Sequence, residues 1–326
     1  MMRKSPRIGI TLAFICLFIL GVMPIISNSR PNSFDALSFA FFLSLWQLVF
    51  SVPLLVWELK FSDKGIFAAQ LPSRLKIRTI VIILLTGIIF GLSTYVYVLA
   101  VEKAGAVSAV IAIQAYPLFA ILWETLFLKR RKTSVELFFT FILLVALYFL
   151  ATKGTFRIEG LSFWFLLALS IPFLWSVAHV IIKEVLDKTP ITPVQITFFR
   201  VLVSTVFLMI VLIIVDGPAS IIQSIGEVSF QKIAIVMGFV YYVELINWFY
   251  AVRHVDVSVA SSITAPSPVV TMLLAIMFLN VEVETYQLIA LSIVLLSVYG
   301  LLFAGRRKAV VSVSFDAEQV RSGAES

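Results

Sequence analysis

Along the chain, apolar runs of about 20 residues alternate with short polar joins. Ten such runs stand near 8–26, 36–58, 79–101, 106–128, 134–152, 160–182, 192–215, 231–252, 257–280 and 285–304. As a helix rising ~1.5 Å per residue, each crosses a hydrocarbon core of ~30 Å. Lipid offers no partner for backbone N–H and C=O groups, so spans of this length must be helical. The pattern predicts an all-α integral membrane fold with ten transmembrane helices. Most joins are too short for another domain, while Phe61–Arg78 and Gly217–Phe230 leave room for surface helices. The opening MMRKSPR before an apolar run has the look of a secretory signal. With no clear small-x-small cleavage site and nine spans to follow, it reads as an uncleaved first helix.

A second period lies over the first. Shifted by 151 residues, Ala100–Gly154 aligns with Ala251–Gly305 without a gap, and 13 of 55 positions are identical. Among them are Pro117 with Pro268, Phe127 with Phe278, and Tyr148 with Tyr299. The same register pairs Gly87 with Gly238 and fails only around the second and seventh spans. The chain therefore divides into a first five-helix repeat (1–158), a second (159–305) and a polar tail (306–326) that reads as mobile and cytoplasmic. Five is odd, so the halves enter the membrane in opposite senses, related by an axis in its plane. Many secondary transporters are built this way. Pro117 and Pro268 fall near the middle of spans 4 and 9, where each removes a helix hydrogen bond, and both are expected to act as hinges.

Composition agrees: 61% of residues are hydrophobic and 13% charged, with a mean hydropathy of +1.06. The net charge of +7 follows topology and forms no nucleic-acid face. Of the Lys and Arg residues, 19 fall on the N-terminal side of the spans, including Lys129–Lys132. Five fall opposite, at Arg30, Lys103, Lys153, Arg157 and Lys232. Positive charge stays inside during insertion, so both termini are expected in the cytoplasm, with the protein in the plasma membrane. A single cysteine, Cys16, and two histidines exclude an internal disulfide and argue against a zinc or haem site, so no cofactor or metal is expected.

The stretch AVRHVDVSVASSITAPSPVVTMLLAIMFL at Ala251–Leu279 runs on into EVETYQLIALSIVLLSVYG, with Glu282 and Gln287 at the start of the last span. LWSVAHVIIKEV is followed by TFFRVLVS, which carries Arg200. Together with the five-plus-five pattern, these stretches resemble the drug/metabolite transporter superfamily, in particular its ten-helix EamA-type permeases, from Gly9 to Gly305. The resemblance implies a permease with a central cavity lined by spans 1–4 and 6–9, spans 5 and 10 packing outside. Two departures stand out: KRRK replaces the glutamate after LFL in the first half, and LWQLV occupies the place of the first-half arginine. Members of this superfamily differ in substrate, so membership leaves the cargo open.

Charged and polar side chains inside spans are costly and mark function. Arg200, as a planar fork, suits a substrate carboxylate or an internal ion pair, against a plain reading as an arginine snorkelling to the interface. Glu244, one turn from Tyr241 and near Trp248, could form a cation-receiving wall or pair with Arg200. Gln114, Tyr116 and Thr264 lie near the prolines and could bind substrate there, or bond neighbouring helices. Glu124, Glu244 and His179 are candidates for coupling transport to protons. The expected function is export or uptake of a small organic metabolite, such as an amino acid, by a monomer or homodimer. Its rivals are a proton-coupled exporter of drugs or organic cations and a nucleotide-sugar-type exchanger. More distant are a channel, a lipid-handling scaffold, and an intramembrane enzyme using Ser93 with His179 as base.

Overall fold

A computed structural model describes residues 5–31, 33–62, 64–69, 71–116, 118–119, 122–123, 133–157, 162–255, 257–301 and 303. The tail from residue 304, Lys129–Lys132, Pro117 and Glu124 lie outside the described residues, so the expectations placed on them have no counterpart below. The described regular structure is helical. In the first repeat α1 spans Pro6–Asn28, α2 Ala36–Phe61, α3 Ser73–Ala104, α4 Ala106–Ile113 and α5 Ser134–Ala151. In the second, α6 spans Phe163–Lys188, α7 Pro193–Val215, α8 Pro218–Gly226, α9 Val228–His254, α10 Val257–Thr264, α11 Ser267–Leu279 and α12 Thr285–Leu301. Seven of these are long and apolar enough to cross a membrane: α1, α2, α3, α5, α6, α7 and α9. The chain is a multi-pass membrane protein. The two long joins carry a 3-10 turn at Gly65–Phe67 and the short surface helix α8.

Capping chemistry sets several helix starts. Asp35 accepts from the Ser38 amide to open α2, and Thr133 with Glu136 and Thr192 with Gln195 form reciprocal capping boxes at α5 and α7. The Gln195 side chain also accepts from the Ile66 amide and donates to the Lys64 carbonyl, tying the join after α2 to α7.

Helix packing repeats the sequence symmetry. α1 lies against α9 as α6 lies against α3, and α2 lies against α9 as α7 lies against α3, while α2 and α7 meet each other. Two glycines make the second pair of crossings close. A Cβ on Gly87 would stand 2.5 Å from Val203 Cβ, and one on Gly238 would stand 2.6 Å from Trp46 Cβ. Gly87 also faces the Arg200 carbonyl and Gly238 the Leu43 carbonyl. Val203 thus corresponds to Trp46 and Arg200 to Leu43, an offset of 157 rather than 151 for this helix pair. The first-half counterpart of Arg200 is therefore Leu43, not a residue of LWQLV. The register fails here because the chain from Leu43 to Gly87 is six residues longer than the chain from Arg200 to Gly238, not because the symmetry ends.

The expectation of one bent helix at 257–280 is replaced by two helices. α10 stops at Thr264, Ala265 and Pro266 form a turn, and α11 starts at Ser267. A proline ring clashes with the carbonyl four residues earlier, and for Pro268 that carbonyl belongs to Thr264, the last residue of α10. Pro266 adds a second restraint by disfavouring helical geometry at Ala265. Pro268 itself occupies the first turn of α11, where its missing N–H costs nothing. In the first half α4 stops at Ile113, Gln114 and Ala115 form a turn, and Tyr116 is helical again. Both interruptions fall in one register, 151 residues apart.

Candidate functional site

The two interruptions face each other. The Gln114 side-chain amide lies 3.5 Å from the Ser267 hydroxyl, joining the broken end of α4 to the start of α11. Around this junction lies a cavity of about 80 Å³, room for a few waters. Its walls bring together Gln114, Tyr116, His179, Arg200, Tyr241, Glu244, Trp248 and Thr264, from both repeats. Pro268 is buried outside this lining.

Arg200 is 2% exposed and does not reach for an interface. Its guanidinium carbon sits 3.6 Å from the centre of the Phe90 ring, within the range of a desolvated cation–π contact. Arg200 is hydrogen-bonded to Tyr241, which bonds in turn to Thr94. Thr94 donates to the Phe90 carbonyl at 2.8 Å. This chain fixes the guanidinium but leaves Nε and Nη1 with no partner. Glu244, on the same cavity wall, interacts with Arg200 through space but forms no ion pair with it among the described residues. The direct Arg200–Glu244 pair, one of the two parts open to Glu244 in the sequence, is thus absent among the described residues.

His179 is packed among rings, its centroid 5.2 Å from Phe90 and 5.3 Å from Trp248, with Tyr116 and Trp175 further round. Its Nδ1 has no hydrogen-bond partner, nor do Tyr97 Oη and Trp248 Nε1. Buried polar atoms left unmet cost about 1–3 kcal/mol each, so those around this space leave hydrogen-bonding capacity that a polar occupant, water included, would satisfy. The Thr264 hydroxyl is engaged within its own helix, donating to the Ser261 carbonyl.

Sequence reasoning missed Phe90 and Thr94, which help to arrange this set, and gave Ser93 only the part of a nucleophile in the enzyme reading. The three occupy one turn of α3, where Phe90 and Thr94 read as ordinary apolar and small-polar filling. Ser93 donates to the Phe90 carbonyl and accepts from Trp175 Nε1 at 3.0 Å, which points the indole into the cavity. The Ser93–His179 nucleophile–base pair of the enzyme reading does not form. Ser93→Ala should therefore disturb Trp175 and lower substrate affinity several-fold, with no loss of turnover. Transport kinetics separate the two, and a turnover collapse with affinity intact would restore a chemical role for the serine. The described residues hold no cluster of metal-ligating side chains.

The model of the EamA-like transporter family matches the chain twice, at residues 7–152 and 162–303. A solved crystal structure superposes on 93% of this chain and on its own full length, with a TM-score of 0.64 at 13% identity, a likeness of fold alone. No curated protein matches the chain.

Proposed function

The chain belongs to the EamA-like transporter family, and from that premise we propose that it is a secondary transporter of a small zwitterionic metabolite such as an amino acid. In this reading ten spans form two inverted five-helix repeats in the plasma membrane, with both termini in the cytoplasm. The interrupted pairs α4 and α10–α11 bend on opposite sides of the midplane, so that either repeat can take the other's conformation and open the cavity to its own side.

The observation that carries the reading is the pairing of unlike groups in one cavity: Arg200 Nε and Nη1 lack acceptors, and the Glu244 carboxylate lines the same space with no ion pair to Arg200. A substrate with both a carboxylate and an ammonium meets both. Trp175, Tyr116 and Trp248 supply an apolar, π-rich wall for the remainder of the molecule.

The test is uptake of labelled amino acids, nucleotide sugars and organic cations into proteoliposomes, with and without a pH gradient. Saturable amino-acid uptake is expected, lost on Glu244→Gln. Uptake of cations alone, driven by the gradient, would favour a proton-coupled exporter. Folded protein that moves none of the panel would remove the transport reading.

A further inference from the structure

We infer that the groove between α5 and α12 is a binding site for an anionic phospholipid, which places one acyl chain between the helices and its phosphate on Lys153 and Arg157. The groove lies apart from the central cavity and holds about 350 Å³. Its lining is wholly apolar, with Phe141, Val145 and Phe149 from α5 and Ile289 and Ile293 from α12. One residue of the wall comes from neither helix. Phe156 belongs to the loop after α5, and its ring packs 5.0 Å from Phe149 at the groove's end.

That loop is built rather than slack. Lys153 and Phe156 both hold positive φ, 51° and 57°, a conformation that costs a non-glycine residue about 1–3 kcal/mol unless the surroundings impose it. The Thr152 hydroxyl accepts from the Phe156 amide, Thr155 donates to the Thr152 carbonyl, and the Tyr148 hydroxyl donates to the Phe156 carbonyl. Gly154, at φ 81°, passes so close to the start of α12 that a Cβ would stand 2.8 Å from Tyr286 Cβ. The loop is thus pinned to both helices that form the groove. The strained turn keeps Phe156 over the apolar channel while Lys153 and Arg157 stay exposed beside it.

Charge selects the occupant. Only five cations lie on this side of the spans. Arg30 and Lys103 are paired with Glu102, whereas Lys153 and Arg157 pair with no carboxylate among the described residues. Two cations without a carboxylate partner among the described residues, flanking in sequence the Phe156 that walls an apolar groove, match a phosphate above an acyl chain. A zwitterionic lipid such as phosphatidylcholine would fill the channel but bring a cation of its own beside Lys153 and Arg157, offsetting the attraction of its phosphate.

The experiment is native mass spectrometry of purified protein released from neutral detergent, with dioleoylphosphatidylglycerol or dioleoylphosphatidylcholine added at equal concentration. Retention of phosphatidylglycerol is expected to exceed that of phosphatidylcholine about fivefold or more. In K153A/R157A, which alters an exposed loop only, the preference should vanish. In Ile289→Trp, which narrows the channel, adducts of both lipids should fall. Gel filtration and thermal melts confirm that each variant is folded. Equal retention of the two lipids by the wild type, or an unchanged preference in K153A/R157A, overturns the site. Displacement of the lipid by glycerol 1-phosphate at the lipid's own concentration overturns it in favour of an anion site. A dimer that Ile289→Trp dissolves overturns it in favour of a second copy of the chain. The inference rests on the chain lying in a membrane and stands whether or not the transport assay finds a substrate.

Discussion

Arg200→Lys is expected to lower uptake by about a hundredfold while leaving the protein folded. Lysine keeps the charge, so the substitution removes only geometry. The guanidinium lies against Phe90 at 3.6 Å, is tied to Tyr241, and presents Nε and Nη1 unpaired to the cavity. A lysine ammonium is a compact point charge on a flexible stem and cannot stack on the ring and hold two fixed donors at once. Each charge-assisted hydrogen bond contributes about 1.5–3 kcal/mol, and about 1.4 kcal/mol is tenfold in affinity, so two lost bonds reach a hundredfold. Initial uptake rates at substrate concentrations above and below KM, with a thermal melt of each variant, check the expectation. A lysine variant within threefold of wild type would mean that charge alone suffices and that the stacked geometry is incidental.

Much of this fold is legible in the sequence because two of its causes are periodic. Apolar runs of membrane length declare helices, and the gap-free 151-residue register declares a repeat, in which the breaks at Gln114–Ala115 and Ala265–Pro266 also fall. What the register could not carry was a six-residue change in the length of chain between the paired helices. It misplaced the counterpart of Arg200, and only the close approaches of Gly87 and Gly238 show that Leu43 stands there. A proline in an apolar run predicts a hinge within a continuous helix, yet its steric effect falls four residues upstream, and that of Pro268 ends α10 at Thr264.

The site was legible in part, and for a physical reason. Charged or polar groups inside a span are rare enough to notice, so Arg200, Glu244, His179 and Gln114 could be picked out one by one, and the structure brings them to one cavity. The residues that orient them carry no such mark. Phe90 is one of 29 phenylalanines, and only its place under a guanidinium gives it a role. The groove at α5 and α12 was silent for the same reason, since an apolar lining is what any lipid-facing helix displays, and positive φ at Lys153 and Phe156 has no sequence signature.

The symmetric glycines should answer unequally to one substitution, and this contrast is the largest stability effect expected. Gly238→Ala places a methyl 2.6 Å from Trp46 Cβ, 2.8 Å from the Leu43 carbonyl and 3.0 Å from the Gln47 amide. None of these atoms can swing aside without moving α2, so the α2–α9 crossing must open. Overpacking of this kind costs about 1–3 kcal/mol, even though alanine gains about 1 kcal/mol of helix propensity over glycine. A melting temperature lowered by about 5 °C or more is expected. Gly87→Ala meets Val203 Cβ and Cγ1 at 2.5 and 2.6 Å, with the nearest backbone atom, the Arg200 carbonyl, at 3.3 Å. Here the strain falls on the turn of α7 that carries Arg200. The melting temperature should fall less than for Gly238→Ala, and substrate affinity should fall more, because the cavity's arginine sits on this crossing and only Leu43 sits on the other. Paired melts and uptake kinetics decide the matter. Equal losses of stability and affinity in both variants would mean that the two repeats share the binding site evenly, contrary to the placement of Arg200, Glu244 and His179 on the second.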